Sequence, residues 1–388
     1  MRWIQILLSL AAAVGVWVQG RGAFPAAGRL AEEAEGRLEN TDPRAGAEAE
    51  LFRQALARDS ASPYRWCDLG ETLAAAGHGR QAEYCFRRAV ELGPNLPPVL
   101  MRAANYHLLG DESRRALAET SRILALVREY DGAIFGLYRR LEVPAADVIE
   151  YGLPAHPPSR AALFEDTLAN GTVQEAGHVW ALLEREGQAG DAAATKYAGF
   201  LLARHAYREA GAAWRRRFGL RDPEVFNGGF ETTPLGGGLD WRIDPVEGVE
   251  AGRDATERHR GASSLRLSFQ EAGNVAYHHV TGHAIVSGGV YRFSAFVKAS
   301  ALTTDQGIRL RLRDADSPAL LDVSTRQVAG TTGWEETALL VRIPPGLHLV
   351  EIVIVREPSL KFDNKIRGSV WIDDVSLSPA ASADPGND

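Results

Sequence analysis

Hydrophobic positions change their period along the chain. From residue 45 to about 218 they recur at helical spacing, with Trp66, Leu69 and Leu73 on one stripe. Gly77 predicts the stop of that helix, and Gly93-Pro94 the stop of the one after it. Stepping by about 34 residues keeps the register: Phe52 answers to Phe86, Ala55 to Ala89, and Ala82 to Ala116. Farther on, Glu175-Ala176 with Trp180 returns as Glu209-Ala210 with Trp214. Asn170-Gly171 predicts a helix stop, and Thr172 with Glu175 a capping box that starts the next helix. Leu141 to Ser159 carries Pro144, Pro154, Pro157 and Pro158, so one continuous helix is excluded there and an irregular joint is expected.

After Asp222-Pro223 glycine becomes frequent and the period falls to two. Leu265, Leu267 and Phe269 alternate with polar residues. So do Tyr291, Phe293, Ala295 and Val297; Ile308, Leu310 and Leu312; and Leu339, Val341 and Ile343. Val353 with Val355 and the run Val370 to Leu377 add further strands, and the turns between them predict a sandwich. The expected fold is therefore multidomain, an all-α helical solenoid over 45–222 followed by an all-β jelly-roll sandwich over 224–379. Residues 21–44 read as a linker and 380–388 as a tail.

At the amino end, Arg2 precedes an uncharged run from Trp3 to Val18. The run is short for a membrane span, and Val18-Gln19-Gly20 offers a cleavage site, so residues 1–20 read as a signal peptide or a membrane anchor. In either case the remainder is expected on the far side of the membrane, exported or periplasmic, with membrane contact only through this segment.

Composition narrows the classes. The 388 residues are 45% hydrophobic and 24% charged, ordinary globular values that exclude disorder and a polytopic membrane protein. A net charge of -7 argues against nucleic acid as a partner. Cys67 and Cys85 are the two cysteines; export permits a bond between them, and two separate buried thiols are the alternative. No catalytic constellation is found, so no enzyme is expected.

Trp66, Leu69, Gly70, Leu73, Gly77, Ala82, Phe86, Ala89 and Pro94 resemble the tetratricopeptide repeat, with Leu73 where that pattern has tyrosine. The resemblance implies stacked hairpins and a protein partner on their surface. The later segment is similar to carbohydrate-binding modules of families 4 and 9, with a galactose-binding-like jelly roll. That likeness is carried by Asn227-Gly228-Gly229-Phe230-Glu231, Gly261 to Leu265, Gly289 to Ala295, Gly330 to Trp334 and Trp371 to Leu377. It implies polysaccharide as a ligand and a structural calcium joining the first and last strands, with Glu231, Asp373 and Asp374 as its acids.

Two polar stretches, Thr303 to Gly307 and Phe362 to Gly368, together with the repeats resemble envelope proteins associated with bacterial exopolysaccharide and O-antigen-ligase machinery. That resemblance implies an adaptor or scaffold in polysaccharide assembly or export. A purely structural protein-protein adaptor is the alternative, and a glycoside hydrolase or its accessory the third choice. Asp305, Gln306, Asp363, Asn364 and Lys365 offer hydrogen-bonding groups suited to sugar hydroxyls if the stretches meet on one rim. The competing expectation is that they clasp neighbouring strand ends. Arg309, Arg311 and Arg313 share one strand face, and Arg309 extends the patch toward an acidic sugar. His278 and His279 are expected on opposite sides of a strand, as are Asp373 and Asp374, which argues against a metal site at the first pair and a hydrolytic pair at the second.

Overall fold

The computed structural model describes residues 45–109, 112–220, 224–270, 273–362 and 364–380. The predicted export segment, the linker 21–44 and the tail from 381 lie outside the described residues. The chain forms helices followed by two antiparallel sheets. It divides into two compact units, 1–166 and 167–388.

In the first unit the helices are α1 (Ala45–Arg58), α2 (Pro63–Ala75), α3 (Gly79–Leu92), α4 (Pro97–Leu109), α5 (Ser113–Leu126), α6 (Asp131–Arg140) and the start of α7 (Pro157–Asn170). The period seen in the sequence becomes structural: α1, α3 and α5 each begin 34 residues apart, and so do α2 and α4. Prolines 63 and 97 stand at the first helical positions, where the missing N–H costs nothing. Gly77 takes φ +80 after α2, the left-handed conformation that favours glycine. Gly70 is small because α3 crosses there: a Cβ on it would lie 3.0 Å from the Phe86 ring. Arg102 of α4 ties back to α2, 2.8 Å from Asp68 and 2.6 Å from Glu71. The proline-rich joint holds a short helical turn, Ala145–Asp147, and a wide π turn, Val148–Gly152. Cys67 and Cys85 are both buried and free.

The second unit opens with the end of α7, then α8 (Val173–Arg185), α9 (Asp191–Leu202) and α10 (Tyr207–Phe218). The Thr172–Glu175 capping box forms as expected. Trp214 of α10 and Ala198 of α9 pack in one cluster with Leu220, Leu239 and Leu349, so these helices share apolar cover with the sandwich. Gly238, at φ +65, lets the Trp214 ring approach to 2.5 Å of where a Cβ would stand. The Tyr207 hydroxyl donates to Asp316 at the same rim.

One sheet runs in the order β1 (Arg242–Ile243), β4 (Tyr277–Ile285), β9 (Leu349–Arg356), β6 (Arg309–Asp314), β7 (Asp322–Ser324). The other runs β2 (Val249–Asp254), β3 (Ser264–Phe269), β10 (Gly368–Pro379), β5 (Gly289–Leu302), β8 (Gly330–Ile343). Inward residues of both meet in a single core that includes Leu267, Phe293, Val297, Leu310, Ile352 and Ile372.

Two readings based on strict alternation are corrected. The β4 register shifts between Tyr277 and Val280, and the rings of His278 and His279 stack at 4.5 Å instead of facing apart. The β10 register shifts between Asp373 and Ser376, with Asp374 at φ +50, and both acids turn to the same segment, His259-Arg260. An extra residue in a bulge inverts the facing that a two-residue period predicts.

Candidate functional site

Arg309, Arg311 and Arg313 alternate with buried Leu310 and Leu312, so β6 presents all three guanidinium groups on its outward face. On β9 they register against Val355, Val353 and Glu351. Those two valines are buried although they face outward, because the long arginine stems and their partners cover them. Two of the arginines are neutralised locally. Arg311 lies 2.7 Å from Glu357 and 3.5 Å from Asp322, and Arg313 donates to Glu351 at 2.5 Å. Arg309 differs: its Nη2 donates to the neutral Gln327 at 3.0 Å and Gln306 at 3.2 Å, and it pairs with no carboxylate among the described residues.

Arg309 stands next to the point where the two polar stretches meet. The Thr303 N–H donates to the Arg367 carbonyl at 2.9 Å, and its hydroxyl donates to the Lys365 carbonyl at 3.0 Å. Much of the junction is a clasp. Ser359 donates its hydroxyl to Asp305 at 2.5 Å, and Lys361 lies 3.5 Å from the same carboxylate. The Ser359 hydrogen bond is the main cause that holds that carboxyl below its usual range, with its own backbone N–H and then the Lys361 charge adding to it against the opposing effect of desolvation. The Asp305 carbonyl accepts from Gln327 at 3.0 Å. Asn364 contributes its carbonyl to Arg356 at 3.4 Å, and Lys365 is exposed. Asp363 lies outside the described residues.

Reading the sequence misses the centre of this clasp. Arg356 is 1% exposed at the end of β9. It donates to the Val275 carbonyl at 2.5 Å and the Asn274 side chain at 3.2 Å, and also reaches Thr304 at 3.4 Å. Asn274 in turn accepts from the Ser359 N–H and donates to the Ser359 carbonyl, each at 2.8 Å. One buried cation thus gathers three loops, and burial opposes its charge. Its signal was available: a lone arginine closing the apolar run Ile352 to Val355.

At the junction of the first and last strands, Glu231 accepts the Ala262 N–H through both oxygens, at 2.9 and 3.1 Å. Asp373 is fully buried and accepts the N–H groups of His259, Arg260 and Asp374. Asp374 meets the His259 ring at 2.7 Å and Arg260 at 3.8 Å. Calcium takes about six to eight oxygen ligands. Here the carboxylates face N–H donors and a guanidinium, and the three acids are not a group of mutually close ligand atoms among the described residues. This donor set does not fit the ion. The Val375 N–H donates to the Gly228 carbonyl at 2.9 Å, which joins the two ends directly. Glu83, His107 and Glu112 do cluster in the first unit, but Arg115 already pairs with both acids, 2.7 Å from Glu83 and 3.0 Å from Glu112.

The opposite sheet carries an aromatic group on its outer face. Trp371 lies between Arg266 and Lys298, each under 6 Å from its ring, and donates its indole N–H to Asp254 at 2.9 Å. The His259 ring stacks on Phe296 at 3.6 Å.

No protein-family model matches the chain, and no curated protein matches it. Among solved structures it is similar to the CBM22-1 xylan-binding domain of Paenibacillus barcinonensis Xyn10C. The identity is 16% over 40% of this chain and 94% of that one, at TM-score 0.27. A family 4 carbohydrate-binding module matches at 16% identity over 40% of this chain and 99% of its own, at TM-score 0.30. TmCBM61, in complex with beta-1,4-galactotriose, matches at 17% identity over 42% and 97%, at TM-score 0.27.

Proposed function

We propose that the chain is an exported, non-catalytic adaptor of cell-envelope polysaccharide assembly or export. Its tetratricopeptide-like hairpins hold a protein partner, and its sandwich holds an acidic glycan at the rim around Arg309. The observation that carries the glycan reading is the contrast along β6. Two arginines have carboxylate partners, while Arg309 has only amide oxygens among the described residues, which leaves its charge available to a uronate or another acidic sugar. Gln306 and Gln327 flank it with amide groups suited to hydroxyls. The 34-residue spacing of the helices supports the repeat reading. A non-catalytic role agrees with Asp373, whose carboxylate is buried beneath backbone N–H groups.

Retention of the full chain on immobilised acidic polysaccharide, compared with a neutral one, tests this reading. The acidic matrix should retain the protein, retention should weaken with salt, and Arg309→Ala should abolish it while shifting stability by no more than about 0.5 kcal/mol. Equal behaviour of wild type and Arg309→Ala would overturn the assignment, and no retention on either matrix would favour an adaptor that binds proteins alone.

A further inference from the structure

The loop between β9 and β10 treats its apolar residues in two opposite ways. Ile366 is buried in the sandwich core, and its N–H donates to the Gly273 carbonyl at 3.0 Å. Leu360 and Phe362 stand out of the surface at 100% and 104% exposure, as open to water as in an extended chain. They project from an anchored base. Ser359 is buried, its N–H donates to Asn274 at 2.8 Å, and its hydroxyl accepts the Lys361 N–H at 3.1 Å. The clasp around Arg356 thus supports a tip that carries two large apolar side chains.

The tip lies away from the helices of its own unit. β9 starts at Leu349, in the cluster under α9 and α10, and ends at Arg356, so the loop that follows is at the opposite end of the sandwich. Basic residues accompany the apolar pair: Lys361 between them, then Lys365 and Arg367, all exposed. Lys361 shares the Asp305 carboxylate with Ser359, and Asp363, the one acid of the stretch, lies outside the described residues.

Area and chemistry select the partner. Two such side chains offer roughly 400 Å² at most, well short of the ~1,200 Å² that a specific protein interface buries. Leu360 has neither a polar group for sugar hydroxyls nor a flat face for a sugar ring. A bilayer needs no complementary pocket: apolar side chains enter its interface while lysine and arginine meet anionic headgroups. We propose that Leu360 and Phe362 insert into the surface of an anionic membrane, with Lys361, Lys365 and Arg367 at the headgroups. This contact differs from the one expected of residues 1–20 and does not depend on the glycan reading.

A probe placed at the tip of the full chain separates this contact from any made by residues 1–20. An environment-sensitive thiol dye on Phe362→Cys should shift to the blue on adding vesicles of phosphatidylcholine with phosphatidylglycerol, and less with phosphatidylcholine alone. Cys67 and Cys85 are buried and should stay unlabelled. The same dye on Leu320→Cys, exposed in the β6–β7 loop whose Asp316 meets Tyr207 at the other end, should not shift. Adding Leu360→Ser should weaken the response at 362 about tenfold in lipid concentration, and Lys365→Glu should reduce the preference for anionic lipid. No shift at 362, an equal shift at 320, or a response indifferent to Leu360→Ser would overturn the proposal. So would a shift that grows with protein concentration in the absence of vesicles, since a second copy would then cover the tip.

Discussion

Asp305 and Ser359, 54 residues apart in the chain, are joined by a 2.5 Å hydrogen bond that brings two loops onto one rim. That bond divides the predicted saccharide patch into two roles. Asp305 serves the clasp, while Arg309, a few residues on, pairs with no carboxylate among the described residues. Asp305→Ala should therefore loosen the 303–307 and 359–367 loops, read as faster hydrogen exchange in both. Arg309→Ala should leave exchange there unchanged.

Arg356 should prove the more costly residue. Arg356→Met roughly keeps the volume but removes the arginine's own hydrogen bonds to Val275, Asn274 and Thr304 at a buried position, while Asn274 keeps the Ser359 N–H. A loss of about 3 kcal/mol in chemical denaturation is expected. A neutral result would show that the loops hold themselves.

The helical unit should show a histidine-linked pH dependence. His107 is 2% exposed and sits 2.9 Å from Glu119 and 3.1 Å from Glu83. Burial disfavours its charge, but hydrogen bonds and attraction from Glu119 and then Glu83 outweigh it and raise the affinity for the proton. A raised folded value means that the contribution is complete below the unfolded value of about 6.5 and is lost as pH rises through the folded one. Denaturation midpoints should fall across that window in the wild type, and His107→Gln should remove this part of the slope.

Both thiols should be inert in the folded chain. Burial pushes Cys67 up to about 12 and Cys85 up to about 11, so neither forms appreciable thiolate near neutral pH. A thiol reagent at pH 8 should label neither site until denaturant is added, then both. Failure to label after unfolding without reductant would reveal a bond.

Chelation provides a check on the sandwich. With Glu231, Asp373 and Asp374 directed at N–H donors, a chelator should leave the melting temperature of the full chain unchanged. A clear drop, restored by calcium, would return the ion to that junction.

Periodicity and local chemistry were legible along the chain because they depend on neighbours a few residues apart. The helical spacing of Trp66, Leu69 and Leu73, the 34-residue step, the Thr172 cap and the alternation in β3, β5 and β6 all appear in the structure where the sequence places them. Facing at Asp373-Asp374 and His278-His279 was not legible, because one bulge residue inverts it and the bulge answers to the partner strand's register. The same limit hid the clasp. Arg356, Asn274, Thr304 and Ser359 are brought together by strand order, and only folding could show that Asp305 is engaged while Arg309 meets no carboxylate among the described residues. Residue types and their spacing came from the sequence alone; which polar groups satisfy one another was decided by tertiary structure, since hydrogen-bond partners are chosen by distance in space.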